Sequence, residues 1–273
     1  MNKVHNFSAG PAILPQEAIE AGKEALTNFA NTGLSILEVS HRSKQYVAVM
    51  DEARDLVKRL WNLNDDYEVM YLHGGASTQF LMVAYNLLNT KACYIDTGVW
   101  SSKSIKEAGL FGEVDVIASS KDKNYTYIPK DYTILTDADY LHITSNNTIY
   151  GSQMHKFPET ALPLVCDMSS DIFSRKIDAN QFDIMYAGAQ KNLGPAGATL
   201  VVVKKDVLGK VSRQIPSMMD YKIHMSKGSM FNTPPAFPVY VVLQTLKWID
   251  KTGIETIENR NRAKADLLYN EID

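Results

Sequence analysis

Short apolar runs alternate with longer amphipathic segments along most of the chain. Seven runs have the length and composition of buried strands, at residues 68–72, 92–96, 114–118, 140–144, 163–167, 183–187 and 198–203. Between several of them, apolar positions recur at helical spacing over residues 43–60, 78–88 and 101–108. This alternation predicts an α/β fold with a mostly parallel, mixed sheet of about seven strands covered by helices.

The last 35 residues of the chain (239–273) have a helical pattern. Helical spacing covers residues 239–249 and returns over residues 253–273, where Ile254, Ile257, Leu267 and Leu268 are the apolar positions. We therefore expect an N-terminal arm (residues 1–15), a large domain (16–252) and a further helix (253–273) that begins another domain. The helical pattern continues to the last residue. It is compatible with a fragment of a longer protein and with a terminal helix that docks on the large domain.

Composition and charge narrow the class of protein. The 273 residues are 45% hydrophobic and 22% charged, an ordinary globular balance. A net charge of −3 with scattered basic residues gives no electrostatic reason to expect binding to nucleic acid or to a membrane surface. No apolar stretch approaches the length of a membrane span or of a signal core, so we expect a cytoplasmic protein.

The two cysteines and six histidines do not suggest a metal site. Cys93 and Cys166 lie within apolar runs, where buried strand residues are expected rather than a disulfide or metal ligands. The histidines show no HExxH pattern or other tight ligand spacing. We therefore predict no bound metal.

The connection between the last two predicted strands contains one long polar side chain among small residues. Residues 187–197 read AGAQKNLGPAG, and Lys191 is that side chain. Small residues let a bulky group approach the backbone closely. Desolvation disfavours the ammonium form of a lysine held among such residues, as an imine-forming amine requires. A solvated loop lysine is the alternative.

Polar groups also follow two other predicted strands. Asp167 ends an apolar run, so it either caps a helix or pairs with a protonated ring nitrogen. Gly74 and Gly75 come before a predicted helix, where free backbone amides can cradle a phosphate. The segment matches neither a P-loop nor a dinucleotide fingerprint, and many such turns bind nothing.

Two further strand ends supply an aromatic ring and a set of short polar groups. Trp100 is either a packing residue or a face on which a flat ring stacks. Asn146, Asn147 and Thr148 either form a turn or donate a hydrogen bond to a phenolate oxygen. Taken together, these strand ends hold the groups needed to bind pyridoxal phosphate: a lysine, an acid, a phosphate cradle, an aromatic face and a hydroxyl.

Four segments resemble signature segments of the phosphoserine aminotransferase family, whose members are pyridoxal-phosphate enzymes with an aspartate-aminotransferase-like fold. They are residues 187–197 (AGAQKNLGPAG), 229–235 (SMFNTPP), 39–43 (VSHRS) and 6–11 (NFSAGP). The first two are highly specific, and the resemblance covers essentially the whole chain in the family's order.

The resemblance implies a role for each residue around the cofactor. Lys191 would form the Schiff base and carry the proton, Asp167 would pair with the pyridine nitrogen, and Trp100 would stack on the ring. Thr148 would bond the phenolate oxygen. The residues implied to hold the cofactor phosphate are Ala76, Ser77, Gln190 and Ser169.

The resemblance also implies partners and substrates. Asn232 and Thr233 would reach the cofactor phosphate from a neighbouring subunit, so an obligate homodimer is expected. His41, Arg42 and Ser8 would bind the substrate, although His41 and Arg42 also suit a helix start after a Ser40 cap. The implied reaction transfers the amino group of glutamate to 3-phosphooxypyruvate, giving 2-oxoglutarate and phosphoserine. A related step in pyridoxine synthesis, giving 4-phosphohydroxythreonine, is implied as well.

The chain departs from the family in two ways. Some members carry an arginine where this chain has Ser77, and members continue past residue 273 into a second domain that supplies basic substrate-binding residues. The chain is therefore expected to lack most of that small C-terminal domain. Two other hypotheses stay open: a cysteine desulfurase of the same fold, and a cofactor-binding fragment without activity.

Overall fold

A single seven-stranded sheet forms the centre of the protein. The computed structural model describes residues 4–272. Its strands are β1 (Tyr67–Leu72), β2 (Lys91–Asp96), β3 (Glu113–Ser119), β4 (Leu141–Thr144), β5 (Leu164–Asp167), β6 (Ile184–Gly188) and β7 (Thr199–Lys204). Each predicted strand is confirmed to within one residue at both ends. Most of the strands are buried on both faces and therefore read as continuous apolar runs, whereas the edge strand β3 is only partly buried.

The strand order brings six carboxyl ends to one edge of the sheet. The order is β1–β7–β6–β5–β4–β2–β3, in which β2 to β6 pair in parallel and β7 is antiparallel to both β1 and β6. The predicted mostly parallel, mixed sheet is confirmed. Because β1 and β6 both run opposite to β7, β1 points in the same direction as the parallel strands.

Helices cover both faces of the sheet. They are α1 (Gln16–Asn28), α2 (Lys44–Trp61), α3 (Gly75–Leu87), α4 (Val99–Ala108), α5 (Tyr221–Ser226), α6 (Ala236–Thr252) and α7 (Ile254–Ile272). The predicted helices 43–60 and 101–108 correspond to α2 and α4. The Ser43 hydroxyl caps α2 by accepting the Tyr46 N–H at 3.2 Å.

The predicted start of α3 was wrong by three residues. The helix begins at Gly75, directly after Gly74, whose φ of +89° lets the chain turn from β1 into the helix. Thr78 looked like a starting residue, but its hydroxyl donates to the Gly74 carbonyl at 3.1 Å from within the first turn. A glycine at positive φ, and not a side-chain cap, precedes the helix.

Along β1, β2, β5, β6 and β7, side chains alternate between two hydrophobic cores. In β5, Leu164 and Cys166 pack with α2 and α6, whereas Val165 packs with α3 on the opposite face. Burial of one large side chain such as Phe80, 2% exposed, stabilises the fold by roughly 1.5–3 kcal/mol. Cys93 and Cys166 are free and buried in β2 and β5, as predicted.

The last helix is confirmed but only partly packed. Ile257 is buried against the core, whereas Leu267 and Leu268 are 74% and 59% exposed. The expectation of an amphipathic helix is therefore met by the first part of α7, and nothing within residues 4–272 covers the apolar positions of its second part. None of the helices in the described range combines the length and the apolar character that crossing a membrane requires.

Candidate active site

A cleft of about 200 Å³ lies at the edge of the sheet where the parallel strands end. Residues that follow β1, β2, β4, β5 and β6 line it. Eight of the residues predicted to bind the cofactor are among them: Ala76, Ser77, Trp100, Thr148, Asp167, Ser169, Gln190 and Lys191. The fold therefore brings together side chains that are up to 115 positions apart in the sequence, since ligand sites form at the carboxyl ends of such strands.

Lys191 follows β6 and extends into this cleft. Its Nζ donates a hydrogen bond to the Thr148 hydroxyl and lies 5.5 Å from the centre of the Trp100 ring. Burial lowers the pKa of the Lys191 ammonium, while the negative charge of Asp167 acts in the opposite direction. The alternative of a solvated loop lysine was wrong, because the side chain is half-buried and the amine is partly desolvated.

Asp167 is the last residue of β5 and is only 4% exposed. Its Oδ1 accepts both the backbone N–H and the hydroxyl of Ser169, at 2.9 and 2.6 Å. Burial raises the pKa of the Asp167 carboxyl, and the two Ser169 hydrogen bonds and the Lys191 charge oppose that shift. The Asp167 carboxylate thus accepts a backbone N–H two residues later, as a capping residue does, but no α-helix begins there. The same carboxylate also lines the cleft.

Trp100 supplies the aromatic surface of the cleft. The ring sits in the first turn of α4, with the ammonium groups of Lys103 and Lys191 at 4.6 and 5.5 Å from its centre. Its indole N–H is buried without a hydrogen-bond partner among residues 4–272. Such a buried donor is unfavourable unless a ligand or water accepts from it.

The N-terminus of α3 forms another wall. Gly74 and Gly75 have φ values of +89° and +65°, and the helix then continues through Ala76 and Ser77. The first intrahelical bond comes from the Thr78 N–H, so the preceding amides are free to bind an anion at the positive end of the helix. Gln190, from the loop after β6, lines the same cleft.

Thr144 was missed by the sequence analysis. It ends β4, pairs in register with Asp167 of β5, and is 2% exposed. Its hydroxyl oxygen is buried and has no hydrogen-bond partner in the described part of the chain. The available signal was a polar residue at the end of an apolar run, since strand ends are where this fold binds ligands.

The asparagines before Thr148 have different environments. Asn146 lines the cleft and exchanges hydrogen bonds with Ser170, at 2.8 and 2.9 Å. Asn147 is buried away from it, where its side chain bonds Thr97 and Ser152. The sequence could not show which of the two asparagines faces the cleft, because the side chains of neighbouring residues in a turn point in different directions.

Five predicted site residues do not line this cleft within one chain. They are Ser8, His41, Arg42, Asn232 and Thr233. The Thr233 carbonyl contacts the His73 ring at 2.9 Å, and His41 is half-buried with its Nε2 unpaired within residues 4–272. Their predicted roles involve a neighbouring subunit or the substrate, and a single chain does not test them.

The arrangement suits a flat, anionic compound that carries a carbonyl group. A desolvated amine can condense with the carbonyl, a buried carboxylate can pair with a cationic ring nitrogen, and free helix amides can bind the anionic group. An indole face provides the stacking surface.

Known proteins share this fold and sequence. The family model described as aminotransferase class-V matches residues 4–273. A phosphoserine aminotransferase of Parabacteroides distasonis is 60% identical over 272 residues, which are 99% of this chain and 77% of that protein. A phosphoserine aminotransferase of Flavobacterium johnsoniae is 61% identical over 275 residues, again 99% and 77%.

Solved structures agree with these relatives. Phosphoserine aminotransferase from Bacillus circulans subsp. alkalophilus superposes with a TM-score of 0.94 at 45% identity, covering 97% of this chain and 75% of that one. The PLP-bound phosphoserine aminotransferase of Trichomonas vaginalis gives 0.92 at 33% identity, covering 98% and 77%. The resemblance seen in the sequence is confirmed: the chain belongs to the class-V aminotransferase family and, within it, to the phosphoserine aminotransferases.

Proposed function

We propose that this protein is a pyridoxal-phosphate-dependent aminotransferase that moves the amino group of glutamate to 3-phosphooxypyruvate, giving 2-oxoglutarate and phosphoserine. The observation that carries the proposal is the presence of the desolvated Lys191 amine and the buried Asp167 carboxylate in one cleft beside Trp100. The names of the relatives supply the substrates.

The residues present fit the cofactor. One oxygen of Asp167 is occupied by Ser169 and the other accepts no hydrogen bond within residues 4–272, as suits pairing with a protonated ring nitrogen. The unpaired indole N–H of Trp100 and hydroxyl of Thr144 also require a partner in the cleft. Thr148, which lines the cleft, would bond the phenolate oxygen. The phosphate would be held by Ala76, Ser77, Gln190 and Ser169.

When bound, pyridoxal phosphate supplies an electron-withdrawing ring that stabilises negative charge at the α-carbon of the substrate. The hydrogen bonds from Ser169 and the charge of Lys191 favour the ionised form of Asp167, which would keep the ring nitrogen protonated. Lys191 would take the proton from the α-carbon of glutamate and would move it in the opposite direction when 3-phosphooxypyruvate is aminated. Trp100 would offer the face on which the ring stacks and would exclude water from that side.

The substrate anions require basic groups beyond the cofactor residues. His41 and Arg42 lie immediately before α2, and Ser8 lies in the N-terminal arm. The unpaired, buried Nε2 of His41 supports a role in binding an anion. Ser77, where some family members have arginine, contributes a hydroxyl but no charge to the same region.

A homodimer with shared active sites is part of the proposal. Asn232 and Thr233 precede α6 outside the cleft of their own chain, where they are available to a second copy. Large apolar side chains are exposed on α1 and the segment after it: Ile19, Leu26, Leu34 and Leu37, at 46%, 40%, 48% and 70%. Clustered exposed apolar residues are typical of protein interfaces.

The finer assignments follow from the same family. We place the arm at residues 1–15, the large cofactor-binding domain at 16–252 and the start of the C-terminal domain at 253–273. The enzyme acts in the cytoplasm in serine biosynthesis, and its second substrate pair gives 4-phosphohydroxythreonine for pyridoxine biosynthesis. A desulfurase is disfavoured, because Cys93 and Cys166 are buried in strands and burial raises the pKa of both thiols.

A two-step reaction with isotope-labelled glutamate tests this function. Protein loaded with pyridoxal phosphate should convert to the aminated cofactor on addition of ¹⁵N-glutamate, as seen by the loss of the carbonyl-form absorbance. Addition of 3-phosphooxypyruvate should restore that absorbance and give ¹⁵N-phosphoserine by mass spectrometry. Unchanged absorbance would indicate a binding protein, and sulfide release from cysteine would indicate the desulfurase.

A further inference from the structure

The N-terminal arm crosses directly over the loop that carries Lys191. The Ala12 N–H donates to the Gln190 carbonyl at 2.8 Å, which ties the arm to the residue before the lysine. Gly10 then lies against the lysine side chain itself. A Cβ built on Gly10 would be 3.1 Å from Cγ and 3.6 Å from Cε of Lys191.

The contact leaves little room for a side chain at position 10 unless the Lys191 stem shifts by a few tenths of an ångström. A separation of 3.1 Å is shorter than ordinary carbon–carbon contact, which lies at about 3.5–4.0 Å, so one of the two groups would have to move. The Gly10 backbone is not at positive φ. The requirement for glycine is therefore steric and is set by Lys191, 181 positions later in the sequence.

The other contacts of Lys191 fix the direction of its amine. Nζ donates to the Thr148 hydroxyl and faces the Trp100 ring at 5.5 Å. The aliphatic stem thus has the arm backbone on one side, and the polar end has the cleft groups around it. Displacement of the stem at Cγ would also move Nζ relative to Thr148.

We propose that Gly10 is a positioning residue for the reaction: the arm forms a wall for the Lys191 stem, and the absence of a side chain at position 10 sets where the amine lies. This inference rests on the proposed function. Small misplacements of a reacting group are costly, since about 1 Å can lower a rate roughly 10²-fold.

The test measures covalent attachment of pyridoxal phosphate to Lys191, not turnover alone. Purified protein without cofactor is mixed with pyridoxal phosphate, reduced with borohydride at increasing times, and the Lys191 peptide is quantified by mass spectrometry. We expect Gly10→Ala to slow attachment by about tenfold and Gly10→Val by about 10²-fold. Gly109→Ala is the matched control: its nearest heavy atoms would be at 3.5 Å, far from the cleft, and its rate should stay at the wild-type value.

A double-variant comparison separates positioning from a general effect on the fold. Lys191→Ala removes Cγ, so adding Gly10→Ala to it should cause no further loss of non-covalent cofactor affinity. Unfolding midpoints are measured for every variant. The inference would be overturned if Gly10→Ala lowered the non-covalent cofactor affinity equally in the wild-type protein and in Lys191→Ala. It would also be overturned if Gly10→Ala and Gly10→Val attached the cofactor at the wild-type rate. Absence of any Lys191 adduct in the wild-type protein would instead overturn the proposed function.

Discussion

Ser169 donates both its backbone N–H and its hydroxyl to the same carboxylate oxygen of Asp167, at 2.9 and 2.6 Å. This arrangement orients a carboxylate that is almost fully buried and commits one of its oxygens. The second oxygen is left for a ligand. Asp167 therefore carries a desolvation penalty in the protein alone, which a cationic partner in the cleft would remove.

Replacement of Asp167 by asparagine should stabilise the protein without cofactor at neutral pH. Burial raises the folded-state pKa above the unfolded one, so the folded protein binds more protons and its stability falls as pH rises between these two pKa values. At a pH above both pKa values, the wild type bears the full desolvation penalty of the Asp167 carboxylate, whereas Asp167→Asn has no charge to desolvate. The thermal unfolding midpoint measures this difference, since it rises by about 2–4 °C for each kcal/mol of added stability.

Asp171→Asn provides the matched control for that experiment. Burial raises the pKa of its carboxyl as well, but both of its oxygens are occupied: Oδ1 accepts from Ser145, and Oδ2 accepts from Gln153 and pairs with Arg175. An asparagine there would leave at least one of these buried donors without an acceptor, so the replacement should destabilise the protein. With saturating pyridoxal phosphate, Asp167→Asn should lose its advantage because the charge pair is gone. A lower unfolding midpoint for cofactor-free Asp167→Asn would contradict the assignment.

Lys191→Ala should lose the covalent cofactor adduct and nearly all activity. Pyridoxal phosphate should still bind weakly through its ring and phosphate, but borohydride should trap nothing at position 191. Loss of the proton carrier should lower the rate by at least about 10²–10⁴-fold. Lys176→Ala, which removes an exposed lysine paired with Glu255, should behave as wild type. A wild-type adduct that maps to another lysine would disprove this site.

Trp100→Ala should weaken cofactor binding while Trp100→Phe retains most of it. Stacking between aromatic rings contributes about 0.5–1.5 kcal/mol beyond area burial, which corresponds to roughly 2- to 10-fold in Kd. Titration of cofactor-free protein, followed by absorbance, measures this. Trp248→Phe, in α6 and outside the cleft, should leave Kd unchanged. An equal Kd for Trp100→Ala and wild type would show that the ring does not stack on this indole.

Co-expression of two inactive variants should restore activity if the sites are shared. In a heterodimer of Lys191→Ala with a chain carrying Asn232→Ala and Thr233→Ala, one site contains an intact lysine and an intact Asn232–Thr233 pair. Random pairing should give about one quarter of wild-type activity, because half of the dimers then have one complete site. Each variant alone is the control. No recovery in purified heterodimers would mean that each site is built from one chain.

Local patterns predicted much of the fold. Apolar runs located all seven strands to within one residue, and for the strands buried on both faces this follows because such burial leaves a signature in consecutive residues. The same patterns misplaced the start of α3, which begins directly after Gly74 at positive φ. They also did not reveal that α7 would leave Leu267 and Leu268 exposed, since covering an apolar stripe depends on what packs against it.

The sequence by itself determined which residue types stand at the strand ends, including Lys191 among small residues and Asp167 at the end of an apolar run. Only the tertiary structure decided that these two side chains share a cleft, that Thr144 faces it while Asn147 does not, and that Gly10 lies on the lysine stem. The physical reason is that strand order, register and side-chain direction arise from pairing between distant segments, whereas sequence patterns report only local burial and backbone preference.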